Sequence, residues 1–234
     1  MPATKITGLG AGASQGAMND LAELFFQQTG NSIHFVYAPV GSIVEKIAAG
    51  ANADIIVLTD QALAFLTKEG RVRSWPIVEV GKVGVGIAVR AGTTLPDIST
   101  PAAFRKTLLA AESIVYADPS KGASSGIHFA SVLNKLEIAE EVKKKSFCLS
   151  GGYSVMEAVA GGKAKLGIQQ MTEIVPVKGI TLVGPLPAEL QKVTTYMAGI
   201  MSANTASDEA LRFLHLAGSQ AAADMFRKAG FGMY

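Results

Sequence analysis

The residues best placed to do chemistry in this 234-residue chain are neutral ones: Ser14 and Gln15, Ser42, Thr59, Ser124 with Ser125, and Gln170 beside Gln169. Each lies where an apolar run ends or a helical pattern begins. The first turn of a helix carries amide N–H groups without partners and a partial positive charge, and a hydroxyl or amide side chain beside it adds further donors. Such a set can hold a small anion with no metal and no cofactor. Lys121 is the one cation in any of these loops. Taken singly, each serine has another reading, as a helix cap. Their gathering at one predicted edge is what favours the anion.

The elements that must position these residues follow from the hydrophobic pattern. In Gly8–Phe26 (GLGAGASQGAMNDLAELFF) a short apolar lead-in enters a loop of small residues, and Met18, Leu21, Leu24 and Phe25 then recur at helical spacing. Ser32–Tyr37 reads as a strand, with His34 on its face. The loop Ala38–Ser42 and a helix through Ile43, Val44 and Ile47 follow, with Ser42 where a cap would sit. Asp54–Leu58 is an unbroken apolar run of the kind found in a parallel strand covered on both faces, and it delivers Thr59 and Asp60 to a helix closed by Gly70. Strand, loop and helix in repeated succession predict an α/β fold with a parallel sheet, whose ligands bind beyond the carboxyl ends of the strands.

From Lys82 the bulky Val83, Val85, Ile87 and Val89 alternate with Gly84, Gly86 and Ala88, so backbone must approach one face closely, and here the chain leaves its first lobe. Thr100-Pro101 opens a helix. The strand Ser113–Tyr116 runs into the hydroxyl-rich loop 117–126, and a helix continues through Ile127, Phe129, Val132 and Leu133. Gly151–Ser154 precedes another helix, and Lys165–Ile168 is a strand ending on Gln169 and Gln170. Val193–Ile200 is a long strand returning to the first lobe, and two helices starting at Ser207 and Ser219 close the chain.

Composition narrows the function classes. With 49% hydrophobic and 17% charged residues the chain can bury a large core. A net charge of +2, with Lys143–Lys145 as its one basic run on a solvated surface, argues against nucleic acid as a partner. One cysteine, Cys148, and three scattered histidines offer neither a disulfide framework nor metal-ligand spacing, and Cys148 between Phe147 and Leu149 reads as a buried small hydrophobe. No run is long enough to span a membrane, and the N-terminus lacks a secretory signal pattern. The protein is expected to be periplasmic with its signal absent or removed, or else cytoplasmic, and to be monomeric.

The order of elements resembles the type II solute-binding proteins of ABC importers, specifically their molybdate/tungstate-binding branch. The motifs that carry it are ASQGAMNDLAELFFQQTG (13–30), SIVEKIAAGANADIIVLTD (42–60), YADP…SSGI (116–127), KLGIQQMTEI (165–174) and GSQAAADMFRKAGF (218–231). The resemblance implies a two-lobed periplasmic-binding-protein type II fold, each lobe a mostly parallel sheet flanked by helices, with two crossovers and the ligand between the lobes. Lobe one would comprise 1–84 and 196–234, and lobe two 85–195. The family's oxyanion-binding positions fall near Ala13-Ser14, Val40-Gly41-Ser42, Ser125, Ser154-Val155 and Gln170, and the implied partner is an ABC permease. The second loop keeps only Ser42 of its hydroxyls, Gln170 stands where the family has a tyrosine, and Lys121 is added. These departures point from molybdate towards a larger, carboxylate-bearing anion.

Aconitate isomerase is similar to this branch, so an isomerase acting on a tricarboxylate is the competing expectation. Its acid and base groups would be drawn from Lys121, His128, Glu173 and Tyr153. A free-standing ligand-sensing domain is a third reading, without a DNA-binding segment to support it.

Overall fold

The computed structural model describes residues 4–203 and 208–234. Ser207, expected to start a terminal helix, lies outside them. The chain divides into two compact units, Met1–Lys82 with Thr194–Gly232 and Val83–Val193 with Met233–Tyr234.

The chain opens with β1 (Lys5–Ala11), α1 (Gln15–Thr29), β2 (Ser32–Ala38), α2 (Val40–Ala48), β3 (Ile55–Thr59) and α3 (Asp60–Lys68). Strand β4 (Val72–Arg90) follows. It starts ten residues before the alternation at Lys82 suggests, because Pro76 and the charged Arg73 and Glu79 mask the strand pattern. Then come α4 (Pro101–Ala110), β5 (Ile114–Ala117), α5 (Ser124–Lys135), α6 (Ala139–Lys143), β6 (Ser146–Leu149), α7 (Ser154–Ala160), β7 (Leu166–Gln170), α8 (Met171–Ile174) and β8 (Ile180–Pro185). The chain ends with β9 (Val193–Met201), α9 (Asp208–Ala217) and α10 (Gln220–Lys228).

In the first unit the strand order is β2-β1-β3-β9-β4. Strands β2, β1 and β3 are parallel, while β9 runs antiparallel to β3. All five residues of β3 are buried, as its continuous apolar run requires of a strand covered on both faces. Helix α1 turns Met18, Leu21 and Phe25 inward, and the Phe25 ring meets Phe213 of α9 edge-on at 5.4 Å.

In the second unit the order is β4-β7-β5-β6, with β8 also paired to β4. Here β7, β5 and β6 are parallel and β4 is antiparallel to β7. The core gathers Val85, Ile87, Phe104, Leu108, Phe129 and Ile168. Strand β6 is the sheet edge, so Cys148 on it is exposed rather than buried: an edge strand is covered on fewer sides than its apolar neighbours Phe147 and Leu149 suggest. Among the described residues no helix is long and apolar enough to cross a membrane.

Candidate functional site

In the first unit, parallel pairing sets Ala11 opposite Ala38 and Gly10 opposite Val57, so the segments leaving β1, β2 and β3 all begin at one edge of the sheet. A short 3-10 turn, Gly12–Ser14, precedes α1, with Ala13 and Ser14 buried and Gln15 as the first α-helical residue. Ser14 does not cap α1. Its Oγ donates to the Ala11 carbonyl at 2.8 Å, which ties the turn to the strand end. Gly10 makes this possible, because a Cβ there would stand 2.8 Å from the Tyr37 ring and 3.2 Å from Ser14 Oγ. The Tyr37 hydroxyl donates to Asn19 Oδ1 at 2.8 Å. Neither Tyr37 nor Asn19 announces itself in the sequence, since their meeting depends on the register of β2 against β1.

Val40, Gly41 and Ser42 form the first turn of α2, behind Pro39. Ser42 is therefore inside the helix rather than at its cap, contrary to the sequence expectation. Proline can precede the helix, but it has no side chain able to cap the first-turn amides. Thr59 is a true cap: its Oγ1 accepts from the Ala62 amide at 3.3 Å.

In the second unit, Ala117 pairs with Leu149 and Tyr116 with Ile168, so the segments leaving β5, β6 and β7 again share one edge. Helix α5 starts at Ser124, three residues before the apolar periodicity indicates, because Gly126 lets its first turn lie against the end of β5. A Cβ on Gly126 would collide with the Ala117 carbonyl oxygen. This close approach carries Ser124 and Ser125 to the end of β7. Ser125 Oγ donates to Gln169 Oε1 in a short contact, the Gln170 amide N–H donates to the same oxygen at 3.2 Å, and Gln170 Nε2 donates to Ser124 Oγ at 3.4 Å. Ser125, Gln169 and Gln170 are all buried. Ser154 opens α7 and its Oγ donates to the Gly151 carbonyl at 2.7 Å, with Val155 buried beneath it.

Lys121 is exposed at the end of a 3-10 turn. Asp118 begins that turn, its carboxyl held below the usual range by bonds from the Ser120 hydroxyl and amide, with Lys121 contributing further. The charge of Lys121 is thus partly answered by a neighbour. The His128 ring is engaged with the backbone: Nε2 lies 2.8 Å from the Leu190 carbonyl, which can only accept, and burial holds the imidazole below its ordinary value. Burial favours the neutral ring against the opposing pull of the Leu190 carbonyl, and that bond fixes the imidazole to the backbone, a structural role rather than that of a general base.

Glu173 is different. Burial alone pushes its carboxyl from 4.5 up to about 8. A folded value above the unfolded one means that the neutral acid favours the fold. Its contribution is complete below pH 4.5 and is lost as the pH rises to about 8. Thr172 beside it is buried too, and its hydroxyl has no partner among the described residues. Sequence pattern could not single out Thr172, whose burial is a tertiary fact. Among the described residues no group of three or more His, Cys, Asp or Glu side chains could hold a metal ion.

The site residues thus fall into two edge clusters. Ala13, Ser14, Gln15, Val40, Gly41, Ser42 and Thr59 lie at the carboxyl edge of the first unit's parallel strands. Ser124, Ser125, Ser154, Val155 and Gln170 lie at that of the second, with Lys121 on the surface turn after β5. Each cluster is a set of neutral donors and helix starts, the arrangement that holds anions by hydrogen bonds rather than by counter-charge.

Comparison with known proteins supplies the context. A family model described as bacterial extracellular solute-binding protein matches residues 6–232. An aconitate isomerase from Pseudomonas sp. is 30% identical, over 98% of this chain and 88% of its own. The molybdate-binding protein ModA of Escherichia coli K12 is 24% identical, over 97% of this chain and 88% of its own. Among solved structures, the periplasmic molybdate-binding protein of Azotobacter vinelandii superposes with a TM-score of 0.82 at 18% identity, covering 97% of this chain and 98% of that one.

Proposed function

The chain belongs to the bacterial extracellular solute-binding protein family, and from that premise we propose that it captures a small anion carrying several carboxylates. The observation that carries this reading is the web of the half-buried Ser124 and the buried Ser125, Gln169 and Gln170. Carboxamides and hydroxyls can donate to several separated oxygens at once, whereas a compact tetrahedral oxyanion needs only a tight ring of donors. The edge of the first unit, taken by itself, presents the helix starts of α1 and α2 as neutral donors of the same kind. Each charge-assisted hydrogen bond formed contributes roughly 1.5–3 kcal/mol, so a handful reaches useful affinity. Outside the cytoplasm the loaded protein would deliver its anion to an ABC permease.

Thermal-shift titration with citrate, cis-aconitate, trans-aconitate, molybdate and sulfate tests this. The carboxylates should raise the melting temperature, since a ligand at a hundred times its Kd stabilises by about 2.7 kcal/mol. A shift with molybdate or sulfate alone would overturn the carboxylate assignment, and no shift with any of them would overturn anion capture.

A second reading, isomerisation of a tricarboxylate, is favoured by the 30% identity to an aconitate isomerase across nearly the whole chain. Moving a double bond needs a group that takes a proton from one carbon and returns it to another, and Glu173, with its value near 8, suits that task. Incubation with cis-aconitate and chromatographic detection of the trans isomer separates turnover from simple capture.

A further inference from the structure

Beside the hydroxyl and carboxamide web lies a carboxyl that the web does not use. Glu173 follows Gln170 by one helical turn, in the 4-residue α8 at the end of β7, and is 5% exposed. A glutamate at this third helical position ordinarily reaches back to the N-cap amide and closes a capping box. Here that amide, Gln170 N–H, donates to Gln169 Oε1, so the usual role is already filled. Among the described residues Glu173 has no hydrogen-bonding or charged partner, and burial is the sole cause of its shift. Thr172, 3% exposed, offers a second unpartnered polar group next to it. A fully buried hydroxyl without a partner among the described residues, next to a largely buried acid that has none either, is rare in a fold with no use for the pair.

The surroundings carry no charge to answer an ionised Glu173. Helix α8 packs on β7 and β8, whose sequences LGIQQ and ITLVGP hold no ionisable residue. In the second-unit part of β4, where Gly86 meets the Met171 side chain, the one ionisable residue is Arg90, exposed at the strand's far end. On α5, which also packs on β7, His128 is engaged with Leu190 and Lys135 with the Glu189 carbonyl.

We infer that Glu173 couples anion capture to a proton: the end of β7 accepts its anion while Glu173 is the neutral acid, and rejects it once Glu173 ionises. The inference rests on the anion-binding reading and adds its regulation. A neutral carboxyl brings no opposing charge to an anion held by Ser125 and Gln170, and its O–H is one more donor. An ionised carboxyl places a second negative charge in largely buried surroundings one helical turn from Gln170, where repulsion is weakly screened. By linkage, an anion that binds only the protonated form must draw in a proton when it binds above the acid's own value.

The test uses the full chain and citrate, titrated calorimetrically from pH 7.5 to 9.5, where citrate is fully ionised. With the acid titrating near 8, wild-type affinity should fall roughly twentyfold across that range, and Glu173→Gln should remove the pH slope. Wild type at pH 9.5 should also take up close to one proton per citrate bound, read from the dependence of binding heat on buffer ionisation enthalpy. This second measurement decides the matter should the variant fail to fold. A flat wild-type profile, a variant that falls in step with wild type, or no proton uptake would each overturn the coupling while leaving anion capture standing. Failure of citrate and both aconitates to bind at any pH would remove anion capture itself, and the coupling with it.

Discussion

The two units build their edges from the same parts, parallel strands feeding helix starts, yet they commit their side chains differently. In the first unit the two hydroxyls at the helix starts serve their own backbone, Ser14 tied to the Ala11 carbonyl and Thr59 to the Ala62 amide, as Ser154 does in the second unit with the Gly151 carbonyl. In the second, side chains bond to side chains across elements distant in sequence, with Ser124 and Ser125 of α5 meeting Gln169 and Gln170 of β7. The first unit thus offers chiefly backbone amides, which recognise negative charge with little regard for shape. The second offers carboxamides, hydroxyls and the unpaired Glu173, which can distinguish one anion from another. Selectivity is therefore expected to reside in the second unit.

The sharpest way to break that comparison is through the glycines that set each edge. Gly126→Ala drives a methyl into the Ala117 carbonyl, an unyielding backbone atom, so α5 must shift and the web must part. We expect a loss of about 3 kcal/mol or more by thermal or denaturant unfolding, at or beyond the usual cost of overpacking, and citrate binding should be lost. Gly10→Ala meets the Tyr37 ring, which can swing aside, so its cost should be roughly 1–2 kcal/mol. Equal effects at the two positions would show that the edges are equally rigid and remove the structural basis for the asymmetry.

These glycines also show what the sequence could and could not disclose. The alternation of apolar runs with small-residue loops made the strands and most helices readable, and Ser-Ser-Gly-Ile marked a loop of consequence. The reason for Gly126, contact with Ala117, is a tertiary one and has no local signal. Cys148 was misread for a related reason: Phe147 and Leu149 suggest a core, but only the strand order makes β6 an edge. Helix α6 is 5 residues long, too short for its periodicity to register, and Pro76 hid the first half of β4. At the site, Ser125 and Gln170 could be picked out because they end or begin elements. Thr172, Tyr37 and Asn19 could not, because their importance lies in burial and register.

A smaller and more specific effect is expected from the serines. Ser125→Ala removes a buried donor and leaves Gln169 Oε1 with the Gln170 amide alone, a change of about 1–3 kcal/mol. Ser125, like Ser14, already gives its one proton within its unit, so the effect is expected to act through the loosened Gln169 and Gln170 carboxamides: citrate affinity should fall at least tenfold, and discrimination between cis- and trans-aconitate should narrow. Ser14→Ala removes a hydroxyl whose proton is already given to Ala11, so only a bond that switches partner could be lost to the ligand. Affinity should fall by no more than about fivefold, with the preference among carboxylates unchanged. Calorimetry on both variants checks the pair, and a larger loss of discrimination at Ser14 would reverse the assignment of selectivity.

The least disturbance should come from Ser42→Ala, and for that reason it is the cleanest probe. Ser42 lies within the first turn of α2 rather than at its cap, so alanine, the better helix former, should offset part of what the serine's own interaction contributes and cost no more than about 1 kcal/mol of stability. A loss of citrate affinity beyond that change in stability then reports on the hydroxyl. If the first unit acts through its amides, the loss should be twofold to fivefold, on the order of 0.5–1 kcal/mol, because the N–H groups of Val40, Gly41 and Ser42 survive the substitution. A tenfold loss, matching Ser125→Ala, would mean that the second unit holds no special share of the specificity.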